Sequence, residues 1–580
     1  MRPLSSPSAG AGVSRRLAWI ALLALGTAWF VRPAAFSVWD ANEAFYVQTP
    51  REMLERGDWL LPTFNGSPRL NKPPLSYWIV AAGYRLFGVS LAVERLWMAA
   101  AAAGTLALTF LLALELWRHH GKALLSAVIL AATFRFQVLH RRLLIDSLLV
   151  LWSCAFAYCF VRWLRTRRPA WAAAAGVAVG LGFLSKGPVI GLPVAAAALV
   201  LLWPGRRDRP LLRDLVTFGV PALLIGASWF VALGLREGWG PVWDFFLKEN
   251  VGRFRDITFG PRRGPLYYVP VFLADLFPWS LLWAAALPAL VQGVWTRPPD
   301  TLSDRDWSGR FLLLWWSVTF LFFSFSLNKQ EYYLAPSYPA VAVWVGGLAA
   351  GTRGFPAAAR LGGAVFLLVA PAAAVLGGLG LSSVLILPGI GLAVAGAYLL
   401  GRRWMPAAAV LAGTFFTSAW LLPEVIEPYR PVRPLAQEIQ ERVRGLPAAA
   451  WTAGYYRFTA PSLCFYLDRP ILELYDLAEA VRRLEGPETV FLLVEEGDLA
   501  ALRERVGEAR CAVVASRPHL ETRLRRWWEA VLAGERQPPV RQVFLITNRR
   551  GDPAPRQAGG AFAGSCQGAS DSVSFRRSHT

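Results

Sequence analysis

Apolar runs of about 20 residues recur from Leu17 to about Leu422, each long enough to cross the ~30 Å hydrocarbon core of a bilayer. They predict about thirteen crossings, at roughly 17–36, 91–116, 123–139, 146–164, 170–184, 188–203, 213–234, 267–292, 311–327, 333–350, 361–380, 383–401 and 405–422. A closed β-barrel would alternate apolar and polar residues instead. The expected fold is therefore an α-helical polytopic membrane protein, with residues 1–422 as its membrane domain. Residues 15–35, "RRLAWIALLALGTAWFVRPAA", resemble a secretory signal, but so many later spans read them as a retained first anchor.

Basic residues orient the runs. Placing Arg15 and Arg16 in the cytoplasm puts "WRHHGK" (117–122), "RTRRP" (165–169), "PGRRDRP" (204–210), the 296–310 segment and "GRR" (401–403) there too. Lys and Arg outnumber Asp and Glu 60 to 39, for a formal net charge of +21. That excess is punctuated between apolar runs and gathers on no one helix face, so it excludes a nucleic-acid partner. The opposite side holds an outer loop at 39–90, "HRRLLIDS" (140–147), "LSKGP" (184–188), a second outer loop at 236–265 and "LNKQEYY" (327–333). Basic residues are less expected on that side, so they suggest the capture of an anion.

After Pro423 the pattern changes. "ETVFLLVEE" (488–496), "RCAVVASRP" (510–518) and "RQVFLITNRR" (541–550) read as buried strands, and 476–485 and 520–532 as amphipathic helices. This predicts a small extracytoplasmic α/β domain over 423–550, followed by a disordered Gly-, Ser- and Ala-rich tail at 551–580. Cys154 and Cys159 lie in an apolar run and read as packing residues; Cys464 and Cys511 leave a disulfide open. His119–His120 reads as a loop pair, not a metal site.

The first outer loop carries the densest polar chemistry. Asp40 and Glu43 have capping-box spacing, and the same carboxylates, with Asn42 between them, are candidates for activating an acceptor hydroxyl. Lys72, stiffened by Pro73–Pro74, can meet a phosphate at headgroup depth. Arg141 and Arg142 can snorkel, whereas Asp146 is too short to do so and calls for a partner or a substrate. Lys186, Arg253, Arg262, Arg263, Lys329, Tyr332 and Tyr333 complete a set of polar groups on the same side. A phosphate or pyrophosphate carried by a lipid is the simplest common ligand.

In combination, "REMLERGDWLLP", "NKPPLSYW", "LSKGP", "PLYYVPVFLADLFPWS" and "FSLNKQEYYLAPSYPA" resemble motifs of the GT-C glycosyltransferases that use polyprenyl-phosphate sugars. The likeness is to the branch of aminoarabinose (lipid A) transferases and protein O-mannosyltransferase-like enzymes, and is recognisable over about residues 17–345. It implies a GT-C architecture and an inverting single displacement, in which a hexosyl or pentosyl group passes from an undecaprenyl-type donor to a lipid, glycan or protein. It places the active face and the C-terminal domain outside a bacterial inner membrane. The donor phosphate would rest on Lys72, Lys186, Arg253 and Lys329, with Glu43, Asp40 and Asn42 catalytic and Asp146, Tyr333, Arg263 and Arg142 positioning substrate. Two residues depart from the pattern. Asn42 replaces the first acid of the family's pair, and an amide is no general base. Asn71 replaces the acid usual before the lysine, which argues against the divalent metal such an acid would hold. No nucleotide-binding glycine loop is visible, consistent with a lipid-borne donor. A transporter or lipid flippase would show repeated halves with polar groups near the midplane. A noncatalytic membrane scaffold for the C-terminal domain is the other alternative, kept open by Asn42.

Overall fold

A computed structural model describes residues 13–549, apart from 33–35, 39, 41, 143, 207–209, 257–261, 296–297, 349–354, 379–385, 522 and 534–537. The expected tail at 551–580 lies outside the described residues.

Helices occupy all thirteen expected crossing regions, and five of them are long and apolar enough by themselves to span a bilayer: Leu91–Trp117, Ile145–Thr166, Leu212–Glu237, Asp304–Phe325 and Trp404–Tyr429. The protein is a multi-pass membrane protein. Three expected crossings differ in detail. The 123–139 run breaks at Ala132–Thr133 into His120–Ala131 and Phe134–Leu139. The 267–292 run is bent by 120° between Pro265–Asp275 and Trp279–Pro288, because Pro278 offers no N–H to continue the helix. The expected 333–350 crossing becomes helical only at Tyr338; Glu331–Ser337 is a 3₁₀ segment, which turns Tyr332 and Tyr333 toward the protein. The first helix, Arg15–Thr27, is integrated into the bundle, where Ala18, Leu22 and Trp29 join the main buried cluster.

The loop at 39–90 is built, not slack. A helix at Glu43–Arg56 leads into a hairpin of β1 (Thr63–Phe64) and β2 (Ser67–Pro68), then into a helix at Leu75–Phe87. Glu52 organises the hairpin. Its carboxylate accepts from Thr63 Oγ1 at 2.7 Å, the Asn65 N–H at 2.8 Å and Gln48 Nε2 at 3.1 Å.

The C-terminal region is a five-stranded sheet: β3 (Trp451–Tyr456), β4 (Leu472–Leu474), β5 (Thr489–Glu495), β6 (Ala512–Leu520) and β7 (Val540–Thr547), in the order β4-β3-β5-β7-β6. β3 pairs parallel with β4 and β5, whereas β7 runs antiparallel to β5 and β6. The three expected strands and both expected helices are present, at Leu477–Glu485 and Leu524–Leu532. Cys464 and Cys511 are both free and belong to separate buried clusters, so the disulfide left open does not form. One of these clusters includes Phe64 of the outer hairpin, with Phe45 packed against it. Polar contacts join the same surfaces. Asn65 Nδ2 donates to the Ile471 carbonyl at 2.9 Å and its Oδ1 accepts from the Ile471 N–H at 2.7 Å, while Arg51 pairs with Asp468.

Glu52→Ala leaves two buried donors without an acceptor, each costing about 1–3 kcal/mol. The expected outcome is a lower melting temperature in detergent and faster proteolysis within residues 57–70; unchanged values would show that the hairpin does not depend on Glu52.

Candidate active site

A cavity of about 590 Å³ opens where the outer loops meet the bundle. Lys72 comes from the loop before the Leu75–Phe87 helix, Asp146 from the first turn of Leu144–Thr166, and Lys186 from the last turn of Pro169–Lys186. Glu249, Asn250 and Arg253 come from the second outer loop, where Leu247–Gly252 forms a wide π-helical turn. Such turns are rare and frequent at functional sites. Tyr332 and Tyr333 close the wall opposite.

The cations are held but not fully neutralised. Lys186 pairs with Asp146, and its ammonium lies 5.2 Å from the Tyr332 ring and 5.0 Å from the Tyr333 ring. Arg253 reaches Glu249 at 2.6 Å, and Lys72 approaches the same carboxylate at 3.9 Å. Burial, reinforced by Arg253 and Lys186, lowers the Lys72 pKa to about 7. Lys72 is thus a cation that a bound anion would stabilise.

The other expected residues lie elsewhere. Lys329 is 3% exposed, and its ammonium donates to the Ser324 carbonyl at 2.9 Å and to the Ser326 carbonyl, at the end of the Asp304–Phe325 helix. It caps that helix and is not among the cavity-lining residues. Arg263 braces the same turn, with Tyr267 Oη and the Lys329 carbonyl both at 2.8 Å. Glu43 is fully buried and binds Arg95 through both oxygens at 2.8 Å, while Arg95 also donates to the Phe36 and Ser37 carbonyls. Arg142 lines a separate cleft.

The expected capping box is replaced by a longer-range cap. Asn42 is exposed and precedes the Glu43–Arg56 helix without a side-chain hydrogen bond. Asp40 instead accepts from the Ser462 N–H at 2.7 Å and Ser462 Oγ at 2.8 Å, capping the Ser462–Leu467 helix beside the C-terminal sheet. Burial outweighs these bonds and raises the Asp40 pKa to about 6.

Glu249 and the Arg135–Asp275–Tyr338 group escaped the sequence reading. Asp275 accepts from Arg135 at 3.0 Å and from Tyr338 Oη at 2.8 Å, fixing the bend before Pro278. An acid inside "FLADLFPW" was the available signal. Among the described residues, no three His, Cys, Asp or Glu side chains gather to hold a metal, and the cavity's carboxylates already face cations. The donor set does not fit the divalent ion weighed above.

Relatives share this architecture. Residues 17–234 match the family model of dolichyl-phosphate-mannose-protein mannosyltransferases. The structure of ArnT from Cupriavidus metallidurans bound to undecaprenyl phosphate superposes with a TM-score of 0.69, covering 94% of this chain and all of that one at 19% identity. In sequence the chain is similar to protein mannosyltransferases and aminoarabinose transferases, and it shares the fold of the ArnT structure. An undecaprenyl phosphate-alpha-4-amino-4-deoxy-L-arabinose arabinosyl transferase of Pectobacterium carotovorum is 31% identical over 332 residues, but the match spans 56% of that enzyme. A protein of Aquifex aeolicus described as uncharacterized is 29% identical over 443 residues, 84% of its length.

The Asp40 shift has a definite sign. The folded state holds a proton up to about pH 6, whereas an unfolded aspartate releases it near 3.9, so stability falls as pH rises between those values. Asp40→Asn should flatten that part of a melting-temperature profile; an unchanged slope would assign it to other groups.

Proposed function

We propose that the chain is a membrane glycosyltransferase that takes a sugar from a polyprenyl-phosphate donor at the outer face of a bacterial inner membrane. The observation that carries this reading is the convergence of Lys72, Lys186 and Arg253, from three separated segments, on one cavity. In this reading residues 1–422 form the catalytic membrane domain and 423–550 an extracytoplasmic domain. The donor's lipid phosphate rests among the three cations. An acceptor oxygen attacks the anomeric carbon from the opposite side, and the bond to the phosphate oxygen breaks with inversion. The cations lower the barrier because the charge they face grows on the leaving phosphate in the transition state.

The geometry favours a different base from the first expectation. Glu43 is committed to Arg95 and Asp40 to Ser462, which suits positioning roles. Asp146 lines the cavity and is held by Lys186. A phosphate that draws Lys186 toward itself frees Asp146 to accept a proton from a hydroxyl acceptor. The acceptor is a lipid, glycan or protein.

Purified protein, a polyprenyl-phosphate sugar and extracted envelope acceptors should yield a glycosylated product by mass spectrometry; no transfer to any acceptor class, with donor binding absent, would refute the reading. Lys72→Ala should weaken donor binding roughly 10–100-fold, the value of one charged hydrogen bond. Binding to wild type should also weaken as pH rises through about 7, where free Lys72 loses its proton. Lys72→Arg should abolish that dependence, since arginine stays charged. With a hydroxyl acceptor, Asp146→Asn should lower kcat by about 10²–10⁴. Glu43→Gln should chiefly lower the melting temperature; the reverse pattern would return the base to Glu43.

A further inference from the structure

A second cleft, of about 250 Å³, lies between the Phe134–Leu139 and Trp404–Ile426 helices, lined by Phe134, Arg141, Arg142, Phe415, Ser418 and Leu422 among others. It shares no lining residue with the Lys72 cavity. Phe36, also on its wall, gives its carbonyl to Arg95, so the cleft abuts the buried Glu43–Arg95 pair. Phe134 and the nearby Trp420 are about half exposed, at 50% and 49%, as side chains facing lipid are.

The arginines make this more than an apolar groove. Arg141 lies over the Trp29 ring at 4.9 Å and the Phe416 ring at 5.6 Å. Its one side-chain hydrogen bond among the described residues goes to a neutral amide, Gln137 Oε1, at 3.4 Å, and its Nε is buried without a partner. No carboxylate of the described residues pairs with it. Ring faces attract a cation by less than the cost of burying its charge. Arg142 adds a second guanidinium to the same cleft. Two guanidiniums above an apolar wall suit a phosphate with hydrocarbon attached, because the planar fork matches phosphate oxygens in pairs.

We propose that this cleft is a second lipid site, which holds the phosphate of an anionic bilayer phospholipid on Arg141 and Arg142, with its acyl chains along Phe134, Phe415 and Leu422. The bound lipid would support the wall behind Glu43 and Arg95 without entering the Lys72 cavity.

The test compares the protein in phosphatidylcholine nanodiscs with and without phosphatidylglycerol. Phosphatidylglycerol should raise the melting temperature of wild type and remain attached in native mass spectrometry. Ser418→Glu places an acid in the cleft. It should abolish the phosphatidylglycerol shift while melting no lower than wild type in phosphatidylcholine alone. Lys72→Ala should keep the shift, separating this site from the donor site. Inorganic phosphate should not reproduce the shift; if it does, the cleft binds a free anion and the lipid assignment fails. No shift in wild type, or an equal shift in Ser418→Glu, would overturn the proposal.

Discussion

Charge withdrawn from water is costly unless it is paired, and long-range ion pairs set how the loops at 39–90 and 236–265 sit on the bundle. Arg95 enters on the Leu91–Trp117 helix and donates through Nε and Nη2 to the two carboxylate oxygens of Glu43, 52 residues earlier. Arg135 and Asp275 join segments 140 residues apart. Removing one partner of such a pair costs about 3–5 kcal/mol, since the other charge is left buried. Each pair therefore fixes a distance between elements that apolar packing alone would leave free to slide.

The cavity departs from this rule of full pairing. Four cations, Lys72, Lys186, Arg253 and Arg255, line it with two carboxylates, Asp146 and Glu249. Burial, and then the neighbouring Arg253 and Lys186, bring the Lys72 pKa down to about 7. In the proposed reading, such a site favours an anion. The distant pairs hold the scaffold, and the cavity carries more cations than carboxylates.

The C-terminal sheet takes part in the same construction. Asp40 caps one of its flanking helices, Asn65 exchanges two hydrogen bonds with Ile471, and Phe64 is buried in its core. The loop that presents Lys72 is thus gripped from outside by the sheet and from below by the bundle. A loop of this length, left to water, would pay the full entropy of ordering at the moment of binding.

The apolar runs alone were sufficient to place the helices, because a segment of about 20 apolar residues has no other stable state in a bilayer. The same local logic located three strands of the sheet, which stand out as short apolar runs. It also singled out Lys72, Asp146, Lys186, Arg253 and Tyr333, since polar groups at span ends stand out against apolar neighbours. It could not decide which charges would meet. Glu43 looked free and is bound to Arg95; Lys329 looked like a phosphate ligand and caps a helix; Asp40 looked like a local cap and serves a helix more than 400 residues away. Glu249 was not singled out by its sequence setting and stands between two cavity cations. Helix formation is settled among neighbours three or four residues apart, so sequence reveals it. Ion pairing is settled by distance in space, and only the packed bundle assigned those partners.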